Sequence, residues 1–387
     1  MTVKYTKANP ILFPHPQNGG VDMLVIAAEH SGDQNAALGV RELLSLRPEV
    51  RICALGGPAL KESGVQLLMD LTKDSAIGFQ AIYKWKFYLK LIAEVVRWVT
   101  EYRPKIICFV DSSFLNLRIA KALFSHGLIT KAGGPTKAIY YIGPQIWASR
   151  AYRRFSMAKY IDELAVIFPF DLDCYSDTDL SVRFVGHPFV NEKEIPLVDY
   201  DPTGPILLLP GSRKAAVAYI FPLLLEGYRR YLKDNNDREA VVVYPGEDIR
   251  RILERTMHTP YLLVPSGKRV AASAVLTSSG TMSLRCALAG IPGAIVYRTH
   301  PVTYLLGRLL VKVPYIGIAN FLLGETMYPE YIQGEATPSK LTKQLYSSIY
   351  DSEWIAKVRM QAERLRTLLS IPSQGSVGEW FAEKLAQ

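Results

Sequence analysis

The chain has 387 residues, long for one hydrophobic core and comfortable for two. Its 49% hydrophobic and 21% charged residues are ordinary for a soluble globular protein, and the absence of repeats or low-complexity tracts excludes fibrous and solenoid classes. A net charge of +9 favours anionic partners (nucleic acid, lipid headgroups or phosphorylated substrates) without choosing among them.

No stretch of about 18 uncharged apolar residues is present, so a spanning helix is not expected. Residues 1–20 lack a hydrophobic signal core and read as an irregular lead-in. Cys53, Cys108, Cys174 and Cys286 are scattered and show no metal spacing. They read as reduced thiols of a cytoplasmic protein.

The first predicted strand is Val21–Ala28, an apolar run that ends in Glu29-His30-Ser31-Gly32-Asp33 before a helical pattern over 36–46. Further strands are expected at 51–55, ending at Gly56-Gly57-Pro58, at 105–110, ending at Asp111-Ser112-Ser113, at 137–142 and at 164–167. Helical patterns fill the intervals, which predicts a parallel sheet covered on both faces. The stretch 188–203 is loop-like and reads as a linker. The pattern then restarts, with strands expected at 205–209, 240–244, 261–264, 274–276 and 293–297 and a helical segment over 340–385 anchored by Trp354 and Trp380. The expected domains are 21–190 and 191–350, with 351–387 as a helical tail packing on the first domain or on a partner subunit.

In open parallel sheets the ligand sits beyond the carboxyl ends of the strands, and the polar loops lie there. The loop Glu29, Ser31, Gly32 and Asp33 opens a helix, where backbone amides favour anions or hydroxyl-rich ligands, or where Ser31 or Asp33 merely caps the turn. Asp111 ends a very apolar strand and is either a general base or a helix cap. Gly211-Ser212-Arg213 ends another apolar run, and the planar donor fork of Arg213 suits a diphosphate. Ser279-Gly280-Thr281 is a third small-residue turn before a helix. Asp171-Leu172-Asp173 and Asp177-Thr178-Asp179 have a DxD form, but neither ends a convincing strand, so no metal is expected. His187, between Gly186 and Pro188, reads as structural. Residues 82–103 are amphipathic, with Ile82, Trp85, Leu89, Ile92, Val96 and Val99 at helical spacing. Tyr83, Lys84, Trp85, Lys86, Phe87, Tyr88 and Lys90 place aromatics beside lysines, which fits an anionic membrane surface. The stretch 303–315 is a second apolar and basic run, either core or an extension of that surface.

Taken in order, the motifs resemble the lipid-A-disaccharide synthase family. They are Ala27 to Asp33, Gly56-Gly57-Pro58, Val110-Asp111, Tyr141 to Ala148, Phe168-Pro169-Phe170, Phe184 to Pro188, Leu209 to Arg213, Ser279-Gly280-Thr281, Tyr297-Arg298 and Asn320 to Gln333. Each is weak alone; their shared order from Val21 to Leu341 is specific. The resemblance implies a GT-B enzyme: two Rossmann-like, doubly wound parallel-sheet domains facing a central cleft. Such an enzyme joins a UDP-activated 2,3-diacylglucosamine to 2,3-diacylglucosamine 1-phosphate with inversion, releasing UDP. It implies peripheral attachment to the cytoplasmic face of the inner membrane, acylated glucosamine lipids as substrates, no cofactor, no metal and no nucleic acid, and leaves a homodimer open.

By position, the resemblance makes Asp111 the general base and Arg213 the stabiliser of the leaving diphosphate. Ser279, Gly280 and Thr281 become a donor-phosphate loop, Asn320, Glu330 and Gln333 polar positions near the nucleotide, and Glu29, Ser31 and Asp33 the acceptor side. Three positions depart from the family pattern. Phe114 stands where an acidic residue is usual, Ala216 replaces a glutamate, and Arg285 replaces another and reverses the charge near the expected nucleotide site, where it either meets a phosphate or pairs with Glu325 or Glu330. Another UDP-sugar enzyme of the same architecture, or an inactive membrane-bound paralogue, are the rival readings.

Overall fold

The computed structural model describes residues 11–17, 19–72, 81–191, 197–235, 237–255, 260–310 and 313–387. It divides into two compact units, one running to Pro188 and taking in Ile371–Gln387, the other Phe189–Ser370.

The first unit holds a parallel sheet of seven described strands in the order β3-β2-β1-β4-β5-β6-β7. These are β1 (Met23–Ala27), β2 (Ile52–Gly56), β3 (Gln66–Asp70), β4 (Ile106–Val110), β5 (Lys137–Tyr141), β6 (Glu163–Val166) and β7 (Ser181–Phe184). Every residue of β1, β2 and β4 is buried, as parallel strands covered on both faces require. Helices α1 (His30–Leu46), α2 (Pro58–Glu62), α3 (Ala81–Tyr102), α4 (Ser113–Ser125) and α5 (Arg153–Tyr160) provide that cover. Helix α3 turns Leu91, Val95, Trp98 and Val99 into the core, one stripe at helical spacing. The Trp98 indole N–H donates to the Pro14 carbonyl at 3.2 Å. Strands β1 and β4 pair from Met23↔Ile106 to Ala27↔Val110 and so end level. The chain runs outward from β1 to β2 and β3 on one side and from β4 to β7 on the other, which makes the β1/β4 edge the topological switch point.

The second unit begins within the short helix α6 (Pro188–Asn191). Its sheet has six described strands in the order β11-β10-β9-β13-β14-β15. They are β9 (Ile206–Leu209), β10 (Ala240–Tyr244), β11 (Leu262–Pro265), β13 (Ala274–Thr277), β14 (Gly293–Tyr297) and β15 (Glu330–Ile332). A separate two-stranded ribbon joins β8 (Val198–Tyr200) to β12 (Val270–Ala272). The covering helices are α7 (Lys214–Asp234), α8 (Glu247–Glu254), α9 (Thr281–Leu288), α10 (Pro301–Leu310), α11 (Ile318–Leu323), α12 (Pro338–Tyr350) and α13 (Ser352–Leu369). Gly227 lets α7 and α12 close up, since a Cβ there would stand 2.9 Å from that of Leu341. The switch point of this sheet is the β9/β13 edge.

Two expected boundaries differ from those observed. Strand β8 lies inside the stretch read as linker, where three residues pair with β12. The stretch read as one tail is divided: α13 belongs to the second unit, whereas α14 (Val377–Ala386) packs on α1 of the first. A Cβ on Gly39 would stand 2.9 Å from the Phe381 ring. Trp380 and Phe381 are buried in the contact. Glu42 accepts from the Ser376 hydroxyl at 2.6 Å and the Gly378 amide at 3.1 Å. Ser376 and Glu379 form a reciprocal capping box at the start of α14.

Candidate active site

The loops after β1 and β4 meet at the first switch point. Asp111 and Ser112 adopt φ angles of 51° and 30°, left-handed conformations unusual for residues bearing a Cβ. Each costs on the order of 1–3 kcal/mol and persists only where neighbours enforce it. Here they do. The Asp111 amide donates to the Tyr141 carbonyl at 3.1 Å. The Asp111 carbonyl accepts from Asn116 Nδ2 at 3.1 Å and from the Tyr140 hydroxyl. Asn116 also donates to the Val110 carbonyl at 3.0 Å. The strained turn raises the Asp111 carboxylate off the strand end, half-buried, where the Ser31 hydroxyl donates to Oδ2 at 3.0 Å. Gly32 lies directly beside the turn: a Cβ on it would stand in van der Waals contact with that of Asp111, at 3.4 Å.

Among the residues predicted for the acceptor side, Ser31 and Gly32 meet Asp111, and Glu29 is the exposed N-cap position of α1. Asp33 departs from expectation. It is buried, and its carboxylate accepts from the amides of Gly57 at 2.7 Å, Ala59 at 2.9 Å and Leu60 at 3.2 Å. It therefore caps α2 rather than facing a ligand, and α1 has no side-chain cap.

The second switch point repeats the arrangement. Gly211 adopts φ 103°, and a Cβ there would meet Ser278 Oγ at 3.0 Å. The Ser278 amide donates to the Leu209 carbonyl at 2.8 Å, so the loops after β9 and β13 lie side by side. Gly211-Ser212-Arg213 leads into α7, and Ser279-Gly280-Thr281 into α9, with Gly280 as its N-cap. Two helix N-termini open beside each other, a setting that favours an anion. Arg213 is exposed and forms no ion pair among the described residues. Ala216, where the resemblance leads one to expect a glutamate, packs against the core edge.

Three predicted nucleotide residues are engaged within the fold. Asn320 is fully buried; its Oδ1 accepts from the Met327 and Tyr328 amides, both at 2.9 Å, and its Nδ2 donates to the Tyr328 carbonyl at 2.7 Å and Glu330 Oε1 at 2.8 Å. Glu330 also accepts from the amides of Ile316 at 3.0 Å and Gly317 at 2.9 Å, where α11 begins. Gln333, at φ 51°, pairs its amide with the Thr299 backbone, accepting at 2.8 Å and donating at 3.1 Å. These groups shape the loops after β14 and β15. Arg285 stacks over the Phe189 ring at 3.7 Å. Glu325 is bonded instead to Arg364.

The membrane-directed residues divide along α3. Trp85 and Leu89 are each 49% exposed, and Lys86 and Lys90 are exposed beside them. Phe87 and Tyr88 pack partly against the core, which removes them from a fully presented face. The side chains of Tyr83 and Lys84 lie outside the described residues. Phe114 is 47% exposed, its ring 6.0 Å from Tyr88 and covered at 3.7 Å by Arg118, which also stands 5.9 Å from the Trp85 ring. An aromatic and cationic patch thus runs from α3 to the first turn of α4, two residues past Ser112. Among the described residues no helix is long and apolar enough to cross a membrane. No group of three or more His, Cys, Asp or Glu among them is placed to hold a metal ion. In the DxD segments, Asp177 is held by Arg154 at 2.6 Å. His187 is buried with its ring 5.2 Å from Phe168.

Asn116, Tyr140 and Ser31 are the supports that hold Asp111. Of these only Ser31 is among the residues the sequence assigns to the site; the visible signal for Asn116 is an Asn five positions beyond a strand-terminal Asp.

The fold is shared with the calicheamicin glycosyltransferase CalG4, at a TM-score of 0.56 and 13% identity, covering 95% of this chain and 99% of that one. Two parallel-sheet units, each with its loops gathered at a switch point, make up the GT-B fold. A family model described as lipid-A-disaccharide synthetase matches residues 23–385. Lipid-A-disaccharide synthases of Geobacter metallireducens and Nitrosococcus oceani are 30% and 28% identical, over 90% and 94% of this chain and 92% and 96% of theirs. The chain belongs to the lipid-A-disaccharide synthetase family.

Proposed function

We propose that the chain joins UDP-2,3-diacylglucosamine to 2,3-diacylglucosamine 1-phosphate, giving the β-1,6 disaccharide precursor of lipid A and UDP. The observation that carries the reading is the Asp111 carboxylate, raised on a strained turn at a switch point and bonded to Ser31. Asp111 takes the proton of the acceptor 6-hydroxyl as that oxygen attacks the anomeric carbon. The bond from that carbon to the diphosphate breaks on the opposite face, so the configuration inverts, and the electron pair leaves with UDP. Arg213 and the amides opening α7 and α9 meet the charge that develops on the diphosphate. This chemistry needs no metal or cofactor.

Both substrates carry acyl chains, so the reaction belongs at a lipid surface. Trp85, Leu89 and Phe114, with Lys86 and Arg118, offer an anionic-membrane contact beside the Asp111 turn, which supports the proposed peripheral attachment to the cytoplasmic face of the inner membrane. The test is to supply both acylated sugars and detect the disaccharide by mass spectrometry alongside UDP release. Equal turnover of the de-acylated sugars, or no transfer with any acylated donor, overturns the proposal.

A further inference from the structure

The second unit contains a concave site of about 420 Å³ to which only Gln333, among the residues given a role above, contributes. Its walls are Tyr219, Pro222 and Leu223 of α7, Arg298 and Pro301 after β14, and Gln333 after β15. The volume falls within the range of sites that hold organic ligands, about 300–1,000 Å³.

Its chemistry is selective. The wall is mostly apolar. The polar groups that could read a nucleobase are engaged with one another, since the Gln333 amide is closed in a two-way pair with the Thr299 backbone. What is left is mostly hydrocarbon, with the Tyr219 hydroxyl and the exposed Arg298 guanidinium at its edge. That combination suits an apolar chain attached to an anionic head.

The location fits as well. Helix α7 carries Arg213 at its N-cap and Tyr219 in the wall, six residues and about 9 Å further along the axis at about 1.5 Å per residue. The helix therefore joins the anion loop to the apolar cavity. Pro301, in the wall, is also the first residue of α10, which exposes Val302 at 59% and Leu305 at 64%. Apolar surface continues from the cavity mouth onto an exposed helix.

We propose that this cavity receives an acyl chain of the donor sugar, with Arg298 placed toward the phosphorylated head. The inference rests on the proposed reaction and adds the place where the donor's hydrocarbon is read. The test is direct binding of a diacylated UDP-glucosamine, its de-acylated counterpart, and UDP to the parent protein and to Ala218→Trp; Ala218 also lines the cavity, from an exposed position on α7, so a tryptophan there fills the mouth. Ala218→Gln serves as a second variant that changes polarity with less bulk. Each buried methylene strengthens binding about fourfold, so excluding two or three accounts for at least a tenfold loss. The expected result is that loss for the diacylated donor alone, with UDP and the de-acylated donor bound within twofold of the parent. Unchanged affinity for the diacylated donor in both variants overturns the proposal, and so does an equal loss for all three ligands, which makes the cavity a nucleotide site. A parent that binds the diacylated donor by this pattern but forms no disaccharide overturns the reaction and leaves the cavity assignment standing. A parent that forms the disaccharide yet does not respond to Ala218→Trp or Ala218→Gln overturns the cavity alone.

Discussion

The Ser31 hydroxyl donates to Asp111 Oδ2 at 3.0 Å across the switch point of the first sheet. The two residues are 80 positions apart and are brought together because β1 and β4 end level. A serine that donates to a carboxylate orients it and leaves its other oxygen for a proton. Asp111→Asn keeps the shape and removes the base. It should lower kcat by about 10²–10⁴ with little change in acceptor KM. Ser31→Ala should cost about tenfold in kcat, because the carboxylate loses its orientation but keeps its charge. Both are read from initial rates of UDP release, with circular dichroism to show that the fold is intact. Equal losses in the two variants would mean that the pair is structural.

Arg213 is exposed at the N-cap of α7 and contributes no described ion pair to the fold. Its removal should therefore leave the melting temperature unchanged. Arg213→Ala should lower kcat by about 10²–10³, the usual effect of losing one donor to a developing anion. Arg213→Lys keeps the charge but loses the planar fork and should recover only part of the rate. Full recovery by lysine would show that charge alone matters.

Asn320 makes the opposite prediction. Its hydrogen bonds to described residues are all internal to the fold, and Asn320→Ala would strand the Met327 and Tyr328 amides. Leaving buried amides unsatisfied costs about 1–3 kcal/mol each. The variant should unfold at clearly lower urea, with a loss of about 3 kcal/mol, while the folded fraction keeps its affinity for UDP. Unchanged stability with weakened UDP binding would restore the ligand role that position alone suggests.

These residues show what the sequence made legible. Central strands such as MLVIA and IICFV are continuous apolar runs, so their burial, their parallel pairing and the loops at their ends could be read directly. Edge strands could not. QLLMD of β3 and SVRF of β7 are half-exposed and mixed, with no period that separates them from loops. The chemistry of Asp111 and Arg213 was visible because each follows a buried strand. The engagement of Asp33 and Glu330 was not, because their partners are backbone amides, which carry no mark in the sequence. The strain at Asp111 and Ser112 was hidden for a similar reason, since it depends on Tyr140 and Asn116 closing on one carbonyl.

The patch of Trp85, Leu89 and Phe114 should bind vesicles containing anionic lipid. Replacing all three by serine should reduce flotation at least tenfold, and raising salt should weaken the parent's binding by screening Lys86 and Arg118. The core-facing residues of the same helix give the control. Leu91 and Trp98 are fully buried, so their substitution should lower stability rather than change lipid binding. Flotation that survives the triple change would assign the lipid contact to another surface.

Asp171 supplies a test that is independent of catalysis. Burial pushes its carboxyl up from 3.8 to about 7. In the unfolded chain the group loses its proton near pH 4, whereas in the folded chain it keeps it until about pH 7. Between these values the folded state binds more protons, so stability falls as pH rises. The favourable contribution is complete below about pH 4 and is lost by about pH 7. Asp171→Asn keeps a neutral polar group of the same shape and removes the titration. It should match the parent at pH 4 and exceed it above pH 7 by on the order of 2–4 kcal/mol, since each pKa unit corresponds to about 1.4 kcal/mol. Urea midpoints at pH 4, 6 and 8 decide the matter. Parallel curves for parent and variant across that range would mean that the carboxyl ionises at its ordinary value and carries no burial penalty.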